Sequence, residues 1–264
     1  MRFRRGVRYA TAAVCLGIAA LLMTGCATAQ KRADERNRLR KANSHLDIGV
    51  GYLESDRSAL ALREFRIAET LDPRNARIQY ALGEAYLARG KPEEAEQHLK
   101  RALDLYPDHH DAQLSLAALY LLQERYAEAV AQCDLLVDDP TFPAPYRALA
   151  NRGLAQLSIG RSAEARQSLE LARDYNAQYW PALLTLATLE AQEGHRIEAI
   201  GLLQEVLQLD PGPRVESEVN YRLAEIYISL GRRQRAIGHL STSVTRAPEG
   251  PWAEKSQEYL KLLR

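Results

Sequence analysis

The chain has 264 residues, of which 26% are charged, and a formal net charge of +1. This length suits one or two globular domains or one array of repeats, and a nearly neutral chain without a concentrated basic face is not expected to bind nucleic acid. The three cysteines (Cys15, Cys26 and Cys133) do not form a disulfide framework.

The first 25 residues have the features of a bacterial export leader. Four arginines lie within the first eight residues, and an uncharged, mainly apolar run of about sixteen residues follows. This run is shorter than the roughly twenty residues that cross a bilayer as a helix. It ends in Leu-Met-Thr-Gly-Cys at residues 22–26, which resembles the lipobox of bacterial lipoproteins. The resemblance implies cleavage before Cys26 and covalent lipid on Cys26. The alternatives are an ordinary secretory leader or an uncleaved anchor helix.

Residues 26–41 are polar and mixed in charge, which predicts a lipidated tether that in part continues as helix into the next segment. Loss of the leader takes four positive charges from +1 and leaves a net charge of −3. Ala27, where aspartate would favour the inner membrane, implies an outer-membrane location by similarity to the enterobacterial sorting rule. We therefore expect a lipid-anchored protein on the periplasmic face of the outer membrane.

The rest of the chain repeats with a period near 34 residues. The set Gly49, Tyr52, Ala61, Phe65, Ala68 and Pro73 recurs as Gly83, Tyr86, Ala95, Leu99, Ala102 and Pro107. This period and these residue types resemble the tetratricopeptide repeat, which implies an all-α, right-handed α-solenoid of six helix–turn–helix repeats with a C-terminal capping helix. The alternative is an unrelated helical bundle. The predicted segments are a leader at 1–25, a tether at 26–41, repeats at 42–75, 76–109, 110–145, 146–179, 180–216 and 217–250, and the cap at 251–264.

Each repeat position has a physical role. Small residues at the eighth and twentieth positions allow two helices to approach closely, and glycines at 90, 160, 194 and 231 suit the left-handed end of the first helix. Repeats four and five carry Gln156 and Glu190 where tyrosine is usual. Residues 139–145 and 211–216 contain prolines and extend the period, so we expect loops there.

No segment remains for a catalytic domain, and we expect no enzymatic activity, no metal and no small-molecule substrate. The six histidines are scattered without metal-ligand spacing. His109 and His110 are adjacent, so they do not share a helix face, and we expect them in a solvated turn. Cys133 is expected to be a small core residue.

Stacked repeats present an extended concave binding surface, which the first helix of each repeat lines in this family. Outward positions on these helices are unusually apolar in repeats one to three, which is typical of a site for a protein partner. The predicted partner-binding residues are Leu46, Val50, Leu53, Tyr80, Leu87, Leu114, Leu121 and Leu122. Further outward positions in repeats four and six are Leu154, Tyr221, Arg222 and Glu225.

The lipobox, short tether and six repeats together resemble the type IV pilus biogenesis lipoproteins of the PilF/PilW type, the secretin pilotins. The proline-containing stretch 139–145, which runs into residues 151–154, is similar to their loop between repeats three and four. The resemblance implies that the chain binds secretin subunits and promotes their outer-membrane localisation or assembly. The alternative is another envelope scaffold that organises peptidoglycan or outer-membrane assembly proteins.

Overall fold

The computed structural model describes residues 30–263, which form thirteen helices and no strand. The first helix, α1, covers residues 30–54. The others are α2 (Ser58–Leu71), α3 (Ala76–Ala88), α4 (Pro92–Leu105), α5 (His110–Leu122), α6 (Tyr126–Val137), α7 (Pro145–Ser158), α8 (Ser162–Tyr175), α9 (Trp180–Gln192), α10 (Arg196–Gln208), α11 (Pro213–Ser229), α12 (Arg233–Arg246) and α13 (Pro251–Leu262). The predicted all-α tetratricopeptide fold is confirmed.

Residues 30–41 belong to α1, as expected of a tether that in part continues as helix into the first repeat. One predicted loop differs from the structure. Residues 213–216 belong to α11 and not to a loop, because Gly212 turns the chain with a φ of 92° and proline suits the first position of a helix. The leader and Cys26 lie outside the described residues. None of the helices within 30–263 is both long and apolar enough to cross a membrane.

The chain divides into two compact units, one that ends at Ala112 and one that begins at Gln113. In the first unit, α1, α2 and α3 share a core that includes Leu46, Phe65 and Leu82. In the second unit, the largest core cluster lies among α9, α10, α11 and α12. Tyr259, Leu260 and Leu263 from α13 and its C-terminal end pack against that cluster, so α13 caps the last repeat as predicted.

Small residues set the close approach of paired helices. A Cβ added to Gly83 would lie 2.8 Å from the Leu99 side chain, and one added to Gly153 would lie 2.6 Å from Leu169. These distances are shorter than van der Waals contact. The eighth position therefore has to be small wherever a bulky side chain at the twenty-fourth position covers it.

The loop at 138–144 is anchored to the second unit. Phe142 is buried in a cluster with Cys133, Leu136 and Ala148. Asp139 accepts hydrogen bonds from the backbone N–H and the hydroxyl of Thr141 at 2.8 and 2.7 Å. Cys133 is fully buried, and this burial raises the pKa of its thiol to about 12. It is a core residue, as predicted.

The turn between the two helices of each repeat contains a residue with positive φ. The four predicted glycines have φ between 65° and 89°, whereas Asp56 and Glu124 occupy the same place in repeats one and three with φ of 58°. A non-glycine residue in the left-handed region costs about 1–2 kcal/mol, while aspartate tolerates this conformation better than glutamate.

We therefore predict that Glu124→Gly stabilises the protein by about 0.5–1 kcal/mol, since relief of the strain exceeds the added flexibility of the unfolded chain. Urea unfolding followed by circular dichroism measures this change. The matched control is Gly160→Glu at the equivalent turn of repeat four, where φ is 77°, which is expected to destabilise by a similar amount. A lower midpoint for Glu124→Gly would contradict the prediction.

Candidate protein-binding surface

The predicted binding residues of the first unit lie on α1 and α3 and differ in accessibility. Val50 is exposed, whereas Leu53, Tyr80 and Leu87 are half-buried. The prediction that Leu46 faces a partner is wrong, because Leu46 is 2% exposed and lies in the core. The 3.6-residue period of α1 places it on the same stripe as the fully buried Ala42, facing α2.

The predicted residues of the second unit lie on α5. Leu122 is 79% exposed and Leu121 is half-buried. The prediction for Leu114 is wrong, because it is 5% exposed and packs with Ala117 and Cys133. Leu114 precedes Ala117 by three residues, so both share the core-facing side of the helix. The accessible part of the predicted set is thus Val50, Leu53, Tyr80, Leu87, Leu121 and Leu122.

The first helices of repeats four to six line two adjoining cavities. One cavity of about 320 Å³ has an apolar floor and a polar rim, with lining residues Ala187, Ala191, Gln192, Arg196, Leu203 and Ile226 among others. The second cavity, of about 270 Å³, is lined by residues that include Leu154, Leu157, Trp180 and Leu184. Thr188 and Arg222 line both cavities. The outward positions expected from the sequence include residues of repeats four and six but none of α9, which lines both cavities.

The two cavities together form a groove, and Arg222, which lines both of them, is paired within the second unit. The Arg222 guanidinium donates to Glu218 at 2.6 and 2.9 Å and also lies 5.3 Å from the centre of the Trp252 ring. Burial, together with the adjacent Glu225 carboxylate, raises the pKa of Tyr221 to about 12. The Tyr221 hydroxyl therefore stays protonated near neutral pH. The groove combines apolar cavities with a nearly balanced rim, which suits recognition of a polypeptide surface.

The two repeats without the usual tyrosine fill its place with polar networks. In repeat four, Gln156 accepts a hydrogen bond from Ser168 at 2.7 Å, and Ser168 accepts one from Arg152. In repeat five, the buried Glu190 accepts a hydrogen bond from Arg166 at 2.5 Å, and His195 contacts Glu190 at 2.7 Å. These contacts replace the apolar ring by satisfied polar groups, as burial requires.

One group of side chains in repeat five has the composition of a metal site. Glu190, Glu193 and His195 offer ligand atoms that lie within 4.8 Å of one another. The spacing of the histidines in the sequence does not indicate this group, because two of its three members are glutamates. Arg166 forms ion pairs with Glu190 and Glu193 at 2.5 and 2.7 Å. This guanidinium neutralises the carboxylates that a cation would need, so the arrangement fits a structural ion-pair cluster.

Several histidines in the described part of the chain contact neighbouring side chains of the array. His45 contacts Glu64 at 2.7 Å. His98 and His239 stack on Tyr86 and Tyr227 at centroid distances of 5.4 and 5.3 Å. His109 lies in a turn just before α5, as expected, but it is not fully solvated. It is half-buried and packs against Tyr80 and Tyr106, and this burial lowers its pKa.

The chain consists of helix pairs that repeat along its length and approach closely at small residues. Together with the open apolar groove, this arrangement defines a helical-repeat protein that binds other proteins. Tetratricopeptide-repeat profiles match residues 46–108, 80–141 and 190–254, which together make up more than half of the chain. The chain belongs to the tetratricopeptide-repeat family, a class of protein-interaction modules.

Proteins of type IV pilus biogenesis are similar to this chain in sequence and in fold. The type IV pilus assembly protein PilF of Pseudomonas aeruginosa is 24% identical over 182 residues, which cover 67% of this chain and 71% of that protein. The solved structure of P. aeruginosa PilF superimposes with a TM-score of 0.70 and 19% identity, and covers 84% of this chain and 99% of its own. The crystal structure of PilW, a widely conserved type IV pilus biogenesis factor, superimposes with a TM-score of 0.71 and 22% identity. The match covers 81% of this chain and 97% of the PilW chain. The resemblance to PilF/PilW-type proteins is confirmed.

Proposed function

We propose that this protein acts in type IV pilus biogenesis as an outer-membrane lipoprotein that binds secretin subunits and promotes their localisation or assembly. The observation that carries this proposal is the sequence similarity to PilF, which extends over 67% of this chain and 71% of PilF and so spans most of the array. The accessible apolar residues on the first helices of repeats one to three support the secretin contact, since an exposed apolar patch usually marks an interaction site.

The proposal divides the work between the two parts of the sequence. Lipid on Cys26 would hold the chain at the membrane, where two or more acyl chains give stable anchoring. The repeats would then recognise secretin subunits near the same membrane. Joining an anchor to a recognition surface raises the effective concentration of the partner without any additional contact.

Charge substitution on the accessible residues tests the secretin contact. We predict that Val50→Glu, Leu87→Glu and Leu121→Glu combined abolish assembled secretin multimers, because a carboxylate placed in an apolar contact loses its hydration without gaining a partner. Heat-resistant secretin multimers in membrane extracts and surface pili provide the readouts in a strain that lacks the wild-type gene. The control, Leu135→Glu with Ile197→Glu, places carboxylates at exposed apolar positions of second helices.

Circular dichroism of the purified triple variant verifies that the array remains folded. Normal multimers and pili in the triple variant would disprove the contact. Loss of cell shape with normal pili upon gene deletion would favour the alternative role in peptidoglycan or outer-membrane assembly.

The lipid anchor has a separate test. We predict that Cys26→Ser moves the protein from the outer-membrane fraction to a soluble or inner-membrane fraction and prevents incorporation of radiolabelled palmitate, because the thiol that carries lipid is absent. Sucrose-gradient fractionation followed by immunoblotting measures the distribution. The control is Cys133→Ser, which keeps Cys26. Palmitate labelling that persists in Cys26→Ser would refute the assignment.

A further inference from the structure

Repeats two and six contain the same arrangement of three side chains. In each repeat, the carboxamide oxygen of a residue on the first helix accepts a hydrogen bond from the Nδ1–H of a histidine nineteen residues later, at 2.8 Å in repeat two and 2.9 Å in repeat six. That histidine stacks on a tyrosine seven residues after the carboxamide, with ring planes 9° and 12° apart. The two sets are Gln79, Tyr86 and His98 in repeat two, and Asn220, Tyr227 and His239 in repeat six.

In repeat two, the preceding repeat completes this arrangement with an ion pair. Arg66 donates a hydrogen bond to the Tyr86 hydroxyl at 2.7 Å, and Glu69 accepts one from the Gln79 amide at 3.0 Å. Arg66 and Glu69 also pair with each other at 3.0 Å. The Glu69 carboxylate favours the charged form of His98, although burial still lowers the pKa of that imidazole. A carboxylate from a neighbouring helix is thus part of the complete arrangement.

In repeat six, the corresponding carboxylate is missing. The repeat register places Gln204 and Leu207 where repeat one has Arg66 and Glu69. The Asn220 amide donates instead to the backbone carbonyl of Glu216 at 2.8 Å. A shallow cavity of about 470 Å³ opens here, lined by Asn220, Tyr227, Arg235, Gly238, His239 and Thr242.

Two polar groups at this cavity make no hydrogen bond or ion pair among residues 30–263. Tyr227 is 4% exposed overall, and its hydroxyl, which is not among the buried unsatisfied groups, makes no hydrogen bond with another residue of that range. The exposed guanidinium of Arg235 lies 5.6 Å from the centre of the Tyr227 ring and makes no ion pair within the same range. The pKa of His239 is lowered by burial and by Arg235, with no acidic side chain opposing them.

We propose that this cavity of repeat six binds the carboxylate of an aspartate or glutamate side chain from a partner protein. Arg235 would supply the positive charge, and the Tyr227 hydroxyl would donate a hydrogen bond. The Nδ1–H of His239 already donates to Asn220, so His239 would donate to the ligand only as the imidazolium, through its Nε2–H. In repeat two, the Glu69 carboxylate of a packed helix likewise lies beside the histidine and its carboxamide partner and pairs with an arginine. The site lies in the sixth repeat, apart from the residues proposed to contact secretin, so the two proposals can fail independently.

The experiment follows the six histidine signals of the full-length, ¹³C-histidine-labelled chain by NMR, with His239 assigned from its loss in His239→Gln. The probe is a capped heptapeptide with one central glutamate among glycines and alanines, and its counterpart has glutamine in the centre. Sodium acetate serves as the free carboxylate. We expect the glutamate peptide to shift the His239 signal and to raise its pKa, because a nearby carboxylate favours the imidazolium. The glutamine peptide should leave the signal unchanged.

Variants locate the site. Arg235→Gln and Tyr227→Phe should each weaken peptide binding by about tenfold, since each removes a hydrogen bond to a charged group. Arg232→Gln removes a neighbouring exposed charge and should leave binding unchanged. Three results would each overturn the proposal. They are equal shifts of the His239 signal with both peptides, full binding by Arg235→Gln, and a His239 response to acetate but not to the glutamate peptide. Normal secretin assembly in the triple charge variant, together with an intact His239 response, would instead contradict only the proposed function.

Discussion

Arg166→Ala is expected to lower the free energy of unfolding by about 2–3 kcal/mol, because it leaves the buried Glu190 carboxylate without its strongest partner. The Arg166 guanidinium bonds Glu190 at 2.5 Å and Glu193 at 2.7 Å, and the Glu190 side chain is only 10% exposed. His195 still contacts Glu190 in the variant, which keeps the expected loss below that of a fully uncompensated charge. Urea unfolding at pH 7 measures the change.

The same ion pair predicts a pH dependence. The Arg166 hydrogen bond, followed by that of His195, holds the pKa of Glu190 below its ordinary value of 4.5 despite burial. A lowered pKa in the folded state contributes stability above the ordinary pKa, and this contribution is lost as the pH falls from about 4.5 through the lowered value. Wild-type stability should therefore decrease more steeply on acidification than that of Arg166→Ala.

Arg161→Ala provides the matched control near the start of the same helix. Its ion pair with Glu164 is 3.5 Å long and both side chains are more than half exposed, so solvent screening should limit its effect to less than about 0.5 kcal/mol. Equal losses for Arg161→Ala and Arg166→Ala would show that burial of Glu190 does not determine the contribution of the pair.

Gly49→Ala is expected to destabilise the first unit by about 2–3 kcal/mol, since an added methyl group overpacks a closely packed helix contact. A Cβ at residue 49 would overlap the ring of Phe65, which is fully buried. Relief requires a change in the Phe65 rotamer or a shift of α1 away from α2. Either change disturbs the core that also contains Leu46 and Leu82.

Gly201→Ala is the control for the general effect of glycine in a helix. It lies inside α10, and an added Cβ would meet no atom within 4 Å. Alanine there should stabilise the protein by about 0.5–1 kcal/mol through helix propensity. Opposite signs in urea unfolding are therefore expected for the two variants. A stable Gly49→Ala protein would mean that α1 and α2 adjust freely.

Two kinds of feature are candidates for partner contact: the accessible apolar residues of repeats one to three, and the cavities of repeats four to six. The first kind includes Val50 in the first unit and Leu122 in the second unit. The second kind combines two cavities with paired charges at Arg222 and Glu218. The triple charge variant changes only residues of the first kind, so its result determines whether secretin recognition depends on them.

The repeat array could be predicted from the sequence alone, because helix period, small contact residues and turn glycines are local or regularly spaced signals. The residues at 90, 160, 194 and 231 have positive φ as their glycines predicted. Which apolar positions are accessible depends on tertiary packing: Leu46 and Leu114 have the same residue type as Leu122, yet they face neighbouring helices and are buried. Packing also brings Arg166 to Glu190 across 24 residues. Such pairings depend on the packing of one repeat against the next, which no single repeat of the sequence encodes.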